Sequence, residues 1–101
     1  MTFEEFQASL EADRAPEGAG PLLTALWFEA RGGWQNGDWE RAHTIVQAEE
    51  GPQAAEVHAY LHRREGDLPN AAYWYRRAGM APRDDDMQVE WAELVRAQLA
   101  S

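Results

Sequence analysis

The chain has 101 residues, 45% of them apolar, and 18 acidic residues against nine basic ones give a formal net charge of -9. A chain of this length forms one small domain around one core. Its acidity argues against binding to nucleic acid or to an anionic membrane, because both require clustered positive charge. Cysteine is absent, which excludes disulfides, thiolate nucleophiles and cysteine-based zinc sites.

The N-terminal segment lacks the basic and apolar regions of a secretory signal, and no apolar run is long enough to cross a membrane. We therefore expect a cytoplasmic protein that does not contact membranes. Thr2 and Glu5 match a capping box, and the apolar spacing after them predicts a first helix over 2–12. A loop rich in glycine and proline follows this helix.

Two helical hairpins and a last helix account for the rest of the chain. The first hairpin is expected over 21–50, with a proline in its first turn, and the second over 52–79. Three consecutive aspartates place negative charge at the start of a final helix over 84–100, which the helix dipole favours. The prediction is a single all-α domain of about six helices, with antiparallel hairpins stacked in a short array.

The hairpins share a turn motif. Gly37-Asp38 and Gly66-Asp67 lie 29 residues apart, and in both copies an alanine follows the aspartate by four residues. The second hairpin carries small and aromatic residues at Ala59, Ala71, Tyr75 and Ala78, and the first keeps Ala30, Ala42 and Val46 at the offsets of the first three. With these residues, the chain resembles the tetratricopeptide or Sel1-like repeat, a helical hairpin of about 34 residues, over roughly 22–82.

The resemblance implies a non-enzymatic surface that binds a peptide or partner protein through the first helix of each hairpin. The residues on the matching face are Trp27, Arg31, Trp34, Glu56, Tyr60, Arg63 and Arg64. Arginine and aromatic side chains dominate binding hot spots, and paired arginines suit a carboxylate or an acidic peptide. The alternative is that a two-repeat array is too short for a groove, in which case these side chains pack against the flanking helices.

Short repeat arrays also need capped ends, so we expect the acidic first and last helices to act as caps or as the interface of a homo-oligomer.

A second candidate site consists of polar residues at positions that the repeat usually fills with apolar ones. His58 and His62 lie one turn apart on one helix face, and Glu29 occupies the position of His58 one repeat earlier. His43 lies on the helix between them. Stacked hairpins would bring all four side chains together. Three imidazoles and a carboxylate suit a divalent transition metal with an open coordination position.

Two other interpretations of this cluster stay open. A buried glutamate needs a hydrogen-bonded partner, and a histidine would satisfy it in a purely structural network. The same residues could instead form a small-molecule or acid–base site. No metal-ligand motif with defined spacing chooses among the three.

No catalytic residues are predicted, because the hydroxyls of Ser9, Thr24, Thr44 and Ser101 lie in no nucleophile motif and no phosphate-binding loop is present. The sequence therefore predicts a protein-interaction module or adaptor without a cofactor. The alternative is a small metal-binding or hydrolytic-type protein that uses Glu29, His43, His58 and His62 with a divalent transition metal.

Overall fold

A computed structural model describes residues 1–32 and 37–101, and over these residues the chain is all-α, as predicted. Its helices are α1 (Phe3–Ala8), α2 (Pro21–Ala30), α3 (Asp38–Gln47), α4 (Pro52–Glu65), α5 (Leu68–Arg77) and α6 (Met87–Leu99). A short 3-10 helix, Ser9–Glu11, continues α1. None of the helices within the described residues has the length and hydrophobicity needed to cross a membrane.

Side-chain caps begin several of the helices. The predicted capping box is confirmed, because Thr2 Oγ1 accepts from the Glu5 N–H at 3.0 Å and the Glu5 carboxylate accepts from the Thr2 N–H at 2.8 Å. Asp86 caps α6 by accepting from a backbone N–H of its first turn at 2.7 Å. Asp38 of the first turn motif is the first helical residue of α3, because Gly37 occupies the cap.

Three predicted helices are shorter in the structure. The first is α-helical only to Ala8, α3 ends at Gln47, and α6 begins at Met87. At α6 the reason is chemical, since aspartate caps a helix better than it extends one.

The two Gly-Asp turns adopt matching backbone conformations. Gly37 has a φ of 80° and Gly66 a φ of 86°, in the left-handed region that favours glycine. Around these turns α2 packs against α3 and α4 packs against α5, while α3 also contacts α4. The contacts agree with stacked helical hairpins. Helix α6 contacts α1, α2 and α4, so it closes the other side of the array.

Aromatic side chains fill the core between these helices. The largest fully buried ones are Trp27, Trp91, Tyr75 and Phe6. Indole N–H groups find buried partners, because Trp91 Nε1 donates to the Leu26 carbonyl at 3.1 Å. Trp39 Nε1 likewise donates to the Leu61 carbonyl at 2.9 Å, which fixes α3 against α4. This contact places the inner face of α3 beside the middle of α4.

A buried ionic network joins α4, α5 and α6. Glu90 is fully buried and accepts from Arg63 Nη1 at 2.7 Å. The same carboxylate accepts from the Tyr75 hydroxyl at 2.7 and 2.8 Å. Arg63 also donates to the carbonyl of Asp85. The charge of Arg63 is therefore neutralised inside the protein, as a buried charge requires.

Candidate functional site

The face predicted to bind a partner is largely interior. Trp27, Tyr60 and Arg63 are 1%, 2% and 8% exposed. Trp27 Nε1 donates to the Ser9 carbonyl at 3.1 Å, and the Arg31 guanidinium lies 4.4 Å from the centre of the Trp27 ring. These side chains pack against the flanking helices, which was the alternative interpretation of this face.

The other members of this face divide between ion pairs and the undescribed segment. The Glu56 carboxylate is half-buried and lies 3.7 Å from Arg83 Nη1. Arg64 is exposed but engages a carboxylate of α2. Trp34 lies outside the described residues.

Glu29 does not join the histidines, so its predicted place in the cluster is wrong. Its carboxylate accepts from the Tyr60 hydroxyl at 3.1 Å and from Arg64 Nε at 2.7 Å. Burial raises the pKa of Glu29, and Arg64 opposes that rise. Tyr60 and Arg64 share one face of α4, whereas His58 and His62 lie two residues earlier, about 200° around the helix. Glu29 on α2 thus meets a different face of α4.

The three histidines do converge. The ring centres are 4.8 Å apart for His43 and His58, and 5.0 Å apart for each of the other two pairs. The Nε2 atoms of His43 and His58 are 3.1 Å apart. Each histidine offers one ring nitrogen to a group in which all three nitrogens lie within 4.8 Å of one another. The prediction that His43, His58 and His62 meet is therefore confirmed.

Two tryptophans enclose the histidine cluster, by which we mean His43, His58 and His62. Trp39 stacks on the His43 ring with centres 4.9 Å apart, and Trp74 of α5 stacks on the His58 ring at 3.8 Å. His58 and His62 are buried, and His43 is half-buried. The sequence did not predict this stacking, although both tryptophans lie within the predicted hairpins. The cluster is thus held from three helices in a mainly apolar setting.

The surroundings keep at least two of the rings neutral. Burial lowers the pKa of His58 to about 4, with further lowering from His43 and His62. Burial also lowers the pKa of His43, and His62 adds to the effect. A metal binds the unprotonated imidazole, so His43 and His58 are held in the state that coordination requires.

Within the part of the chain that the structure describes, the carboxylate that contacts the cluster is Glu65 rather than Glu29. Glu65 Oε2 lies 2.5 Å from His62 Nδ1, one turn along α4. Sequence reasoning missed Glu65, although its spacing of three residues from His62 on one helix was the available signal.

A cavity of about 310 Å³ adjoins the cluster between the end of α3, the start of α4, and α5. His58, Trp74 and Arg77 line it, together with Val46. On the side of His58, the cluster therefore borders a cavity rather than packed side chains. A small molecule or a water has room beside that ring.

No protein-family model matches this chain, and neither a curated protein nor a solved structure is similar to it. The resemblance to tetratricopeptide or Sel1-like repeats therefore stays a prediction. The inference of function rests on the geometry of the histidine cluster.

Proposed function

We propose that the protein binds a divalent transition-metal ion, zinc or a close analogue, through His43, His58 and His62, with one coordination position left open. The observation that carries this proposal is the mutual spacing of the three imidazole rings. Neutral imidazole suits zinc, copper, nickel and iron, whereas calcium and magnesium prefer oxygen ligands.

The spacing matches tetrahedral coordination. Ligand nitrogens about 2.0–2.1 Å from a tetrahedral zinc ion lie about 3.3 Å from one another. The ring centres lie about 1.1 Å beyond those nitrogens, so they are about 5.2 Å apart in such a site. The Nε2 atoms of His43 and His58 are 3.1 Å apart and the ring centres 4.8 to 5.0 Å apart, each within a few tenths of an ångström of these values. The ligand nitrogen of His62 lies within 4.8 Å of the other two.

Three protein ligands and an open position are typical of catalytic rather than structural zinc. A metal ion held by His43, His58 and His62 would polarise a bound water or carbonyl oxygen. The cavity at His58 supports an exchangeable fourth ligand, because it offers space for a small molecule next to one metal ligand. Hydrolytic chemistry is therefore the activity class that follows from metal binding here.

The adaptor role implied by the repeat resemblance has weaker support. Trp27, Tyr60 and Arg63 are buried, so a partner cannot reach them on the folded surface. Arg31 and Arg64 are exposed, but each already contacts groups of its own chain. No contact in the described residues favours a protein partner over the metal ion.

Metal binding is tested by thermal melts of the chelator-treated protein with zinc, nickel, manganese or iron(II). A ligand present at about a hundred times its Kd stabilises the folded state by about 2.7 kcal/mol. For a domain of this size, that corresponds to a rise in Tm of about 10 °C or more. We expect zinc to produce this rise in the wild type, and His43→Gln and His58→Gln to abolish it.

Glu29→Gln is the matched control, because it removes a buried polar contact that is separate from the cluster. It should lower the Tm of the metal-free protein and leave the zinc-induced rise intact. His43 is half-buried, so His43→Gln guards against loss of folding at the more buried His58. If titration calorimetry finds no zinc binding by the folded wild type, the proposed function is wrong.

A further inference from the structure

His62 and Glu65, one turn apart on α4, are in close contact. Glu65 Oε2 and His62 Nδ1 are 2.5 Å apart, and the Glu65 side chain is 23% exposed against 7% for His62. Together with Asp67, these residues form a second group whose donor atoms are close enough to suggest metal ligands. The contact therefore represents either a shared metal ion or a shared proton.

The distance favours a proton. Two ligand atoms on one tetrahedral zinc ion are about 3.3 Å apart, and 2.5 Å is far below that separation. A charge-assisted hydrogen bond from a nitrogen to a carboxylate, in contrast, has its heavy atoms about 2.7–2.9 Å apart, which is much nearer to the observed separation.

Asp67 already has a structural role that accounts for its position. Its carboxylate accepts from the Asn70 backbone N–H at 3.3 Å and from the Asn70 side chain at 3.4 Å, which caps the start of α5. Within the group of His62, Glu65 and Asp67, only the contact between His62 and Glu65 then needs an explanation.

We infer that Glu65 is a positioning residue that accepts the Nδ1–H of His62 and thereby directs the Nε2 lone pair of that ring toward His43 and His58. This inference rests on the proposed metal site and names the residue that orients one of its ligands. Neutral imidazole carries a single ring proton, so a proton held at Nδ1 leaves Nε2 as the acceptor. A carboxylate in this position also makes the ring a stronger donor to the metal.

The neighbours of His62 agree with this assignment. Its ring lies 5.0 Å from the His43 ring and 5.0 Å from the His58 ring, with the Trp39 ring at 5.9 Å. Burial limits rotation of the ring, and the Glu65 contact selects between the two orientations that differ in which nitrogen faces the cluster. Among the described residues, Glu65 is the carboxylate that contacts His62 Nδ1 directly.

The inference is tested first on the metal-free protein, so that the result does not depend on the proposed function. Two-bond nitrogen–proton correlation NMR at pH 8 distinguishes the Nδ1–H from the Nε2–H form of each histidine. We expect His62 in the wild type to be in the Nδ1–H form and Glu65→Ala to shift it toward a mixture. A wild-type His62 in the Nε2–H form would overturn the inference, whether or not zinc binds.

The second test measures zinc affinity by competition with a chromophoric chelator. We expect Glu65→Ala to raise the Kd for zinc by about 10- to 100-fold, the usual effect of losing such a partner. Glu65→Gln keeps an acceptor but loses the charge, so its effect should be intermediate. The charge control is Glu40→Gln, which removes an exposed carboxylate near His43 and should change the Kd less than about twofold, as expected for a screened surface charge.

Raising the salt concentration separates positioning from long-range attraction. Added sodium chloride should leave the ratio of the Glu65→Ala and wild-type Kd values unchanged, because the contact is short and largely buried. Equal effects of Glu65→Ala and Glu40→Gln, or a ratio that falls to one at high salt, would contradict the inference. If the wild type binds no zinc while His62 keeps the Nδ1–H form, the metal site fails and the orientation by Glu65 stands.

Discussion

Burial and the two neighbouring imidazoles all lower the pKa of His58. Its pKa falls to about 4, mainly through burial, because a charged imidazolium would lose its hydration there. The stacked Trp74 ring at 3.8 Å excludes water from one face of His58. Folding therefore favours the neutral ring.

This shift makes the stability of the metal-free protein depend on pH. Between pH 6.5 and 4 the unfolded chain protonates His58 while the folded chain does not, so the free energy of unfolding decreases as pH falls through this range. We expect a loss of about 2 kcal/mol between pH 7 and 4.5 that is attributable to His58, since one pKa unit corresponds to about 1.4 kcal/mol. Urea unfolding with a chelator present measures it.

The matched variant for this experiment is His58→Gln, which keeps a polar side chain and removes the titrating group. Other groups, including Glu29 and Glu56 with their raised pKa values, are common to both proteins. The wild type should therefore lose more stability than the variant on acidification. Parallel stability curves for the two proteins would contradict the predicted contribution of His58.

Helix α4 is the element on which the candidate site and the buried network both depend. One face presents His58 and His62 to α3 and α5, and another presents Tyr60 and Arg64 to Glu29 of α2. Arg63 reaches α6 from the same helix. Nearly every residue from Ala54 to Arg63 is buried, with Glu56 half-buried. A helix surrounded in this way supports a rigid site.

At the scale of single helices, the contact between α4 and α6 can be tested by substitution. Glu90→Gln removes the buried carboxylate that pairs with Arg63 and leaves the half-exposed Asp85 carboxylate, 3.6 Å from Arg63 Nη1. Loss of a buried ionic partner costs about 3 kcal/mol or more. Glu93→Gln on the same helix removes an exposed carboxylate that pairs with Arg83 and should cost less than about 1 kcal/mol. Urea unfolding at pH 7 compares the two variants, and equal losses would refute a special role for Glu90.

At the scale of the whole molecule, α6 ties the N-terminal helix to the hairpins. The Trp91 ring lies 5.9 Å from Phe3 and 6.1 Å from Phe6, and its indole N–H donates to the Leu26 carbonyl. Residues from α1, α2 and α6 thus form one continuous core. A core shared in this way indicates cooperative unfolding of the described elements.

Trp91→Ala should therefore destabilise the whole domain by about 3–5 kcal/mol, the usual cost of removing a buried large aromatic side chain. Circular dichroism and tryptophan fluorescence should report coincident urea transitions in the wild type. The control is Val89→Ala, at an exposed position on the same helix, which should cost less than about 0.5 kcal/mol. A separate early transition for α6 would contradict a single cooperative core.

The sequence by itself determined the all-α class, the order of the helices and the capping box of the first one, because these depend on interactions within a few residues. The pairing of His58 and His62 on one face also follows from helical periodicity alone. The Gly-Asp turns were recognisable for the same reason, since a left-handed residue before a helix favours glycine.

Only the tertiary structure decided which side chains meet across helices. The repeat resemblance aligned Glu29 with His58, but the rotation of α2 against α4 brings Glu29 to Tyr60 and Arg64 instead. The tertiary structure also placed Arg63 in the interior, where it contacts Glu90. Helix rotation and packing depth depend on the sum of many distant contacts, and a local pattern does not specify them. For this reason the three histidines could be expected to meet, whereas their separation from Glu29 could not.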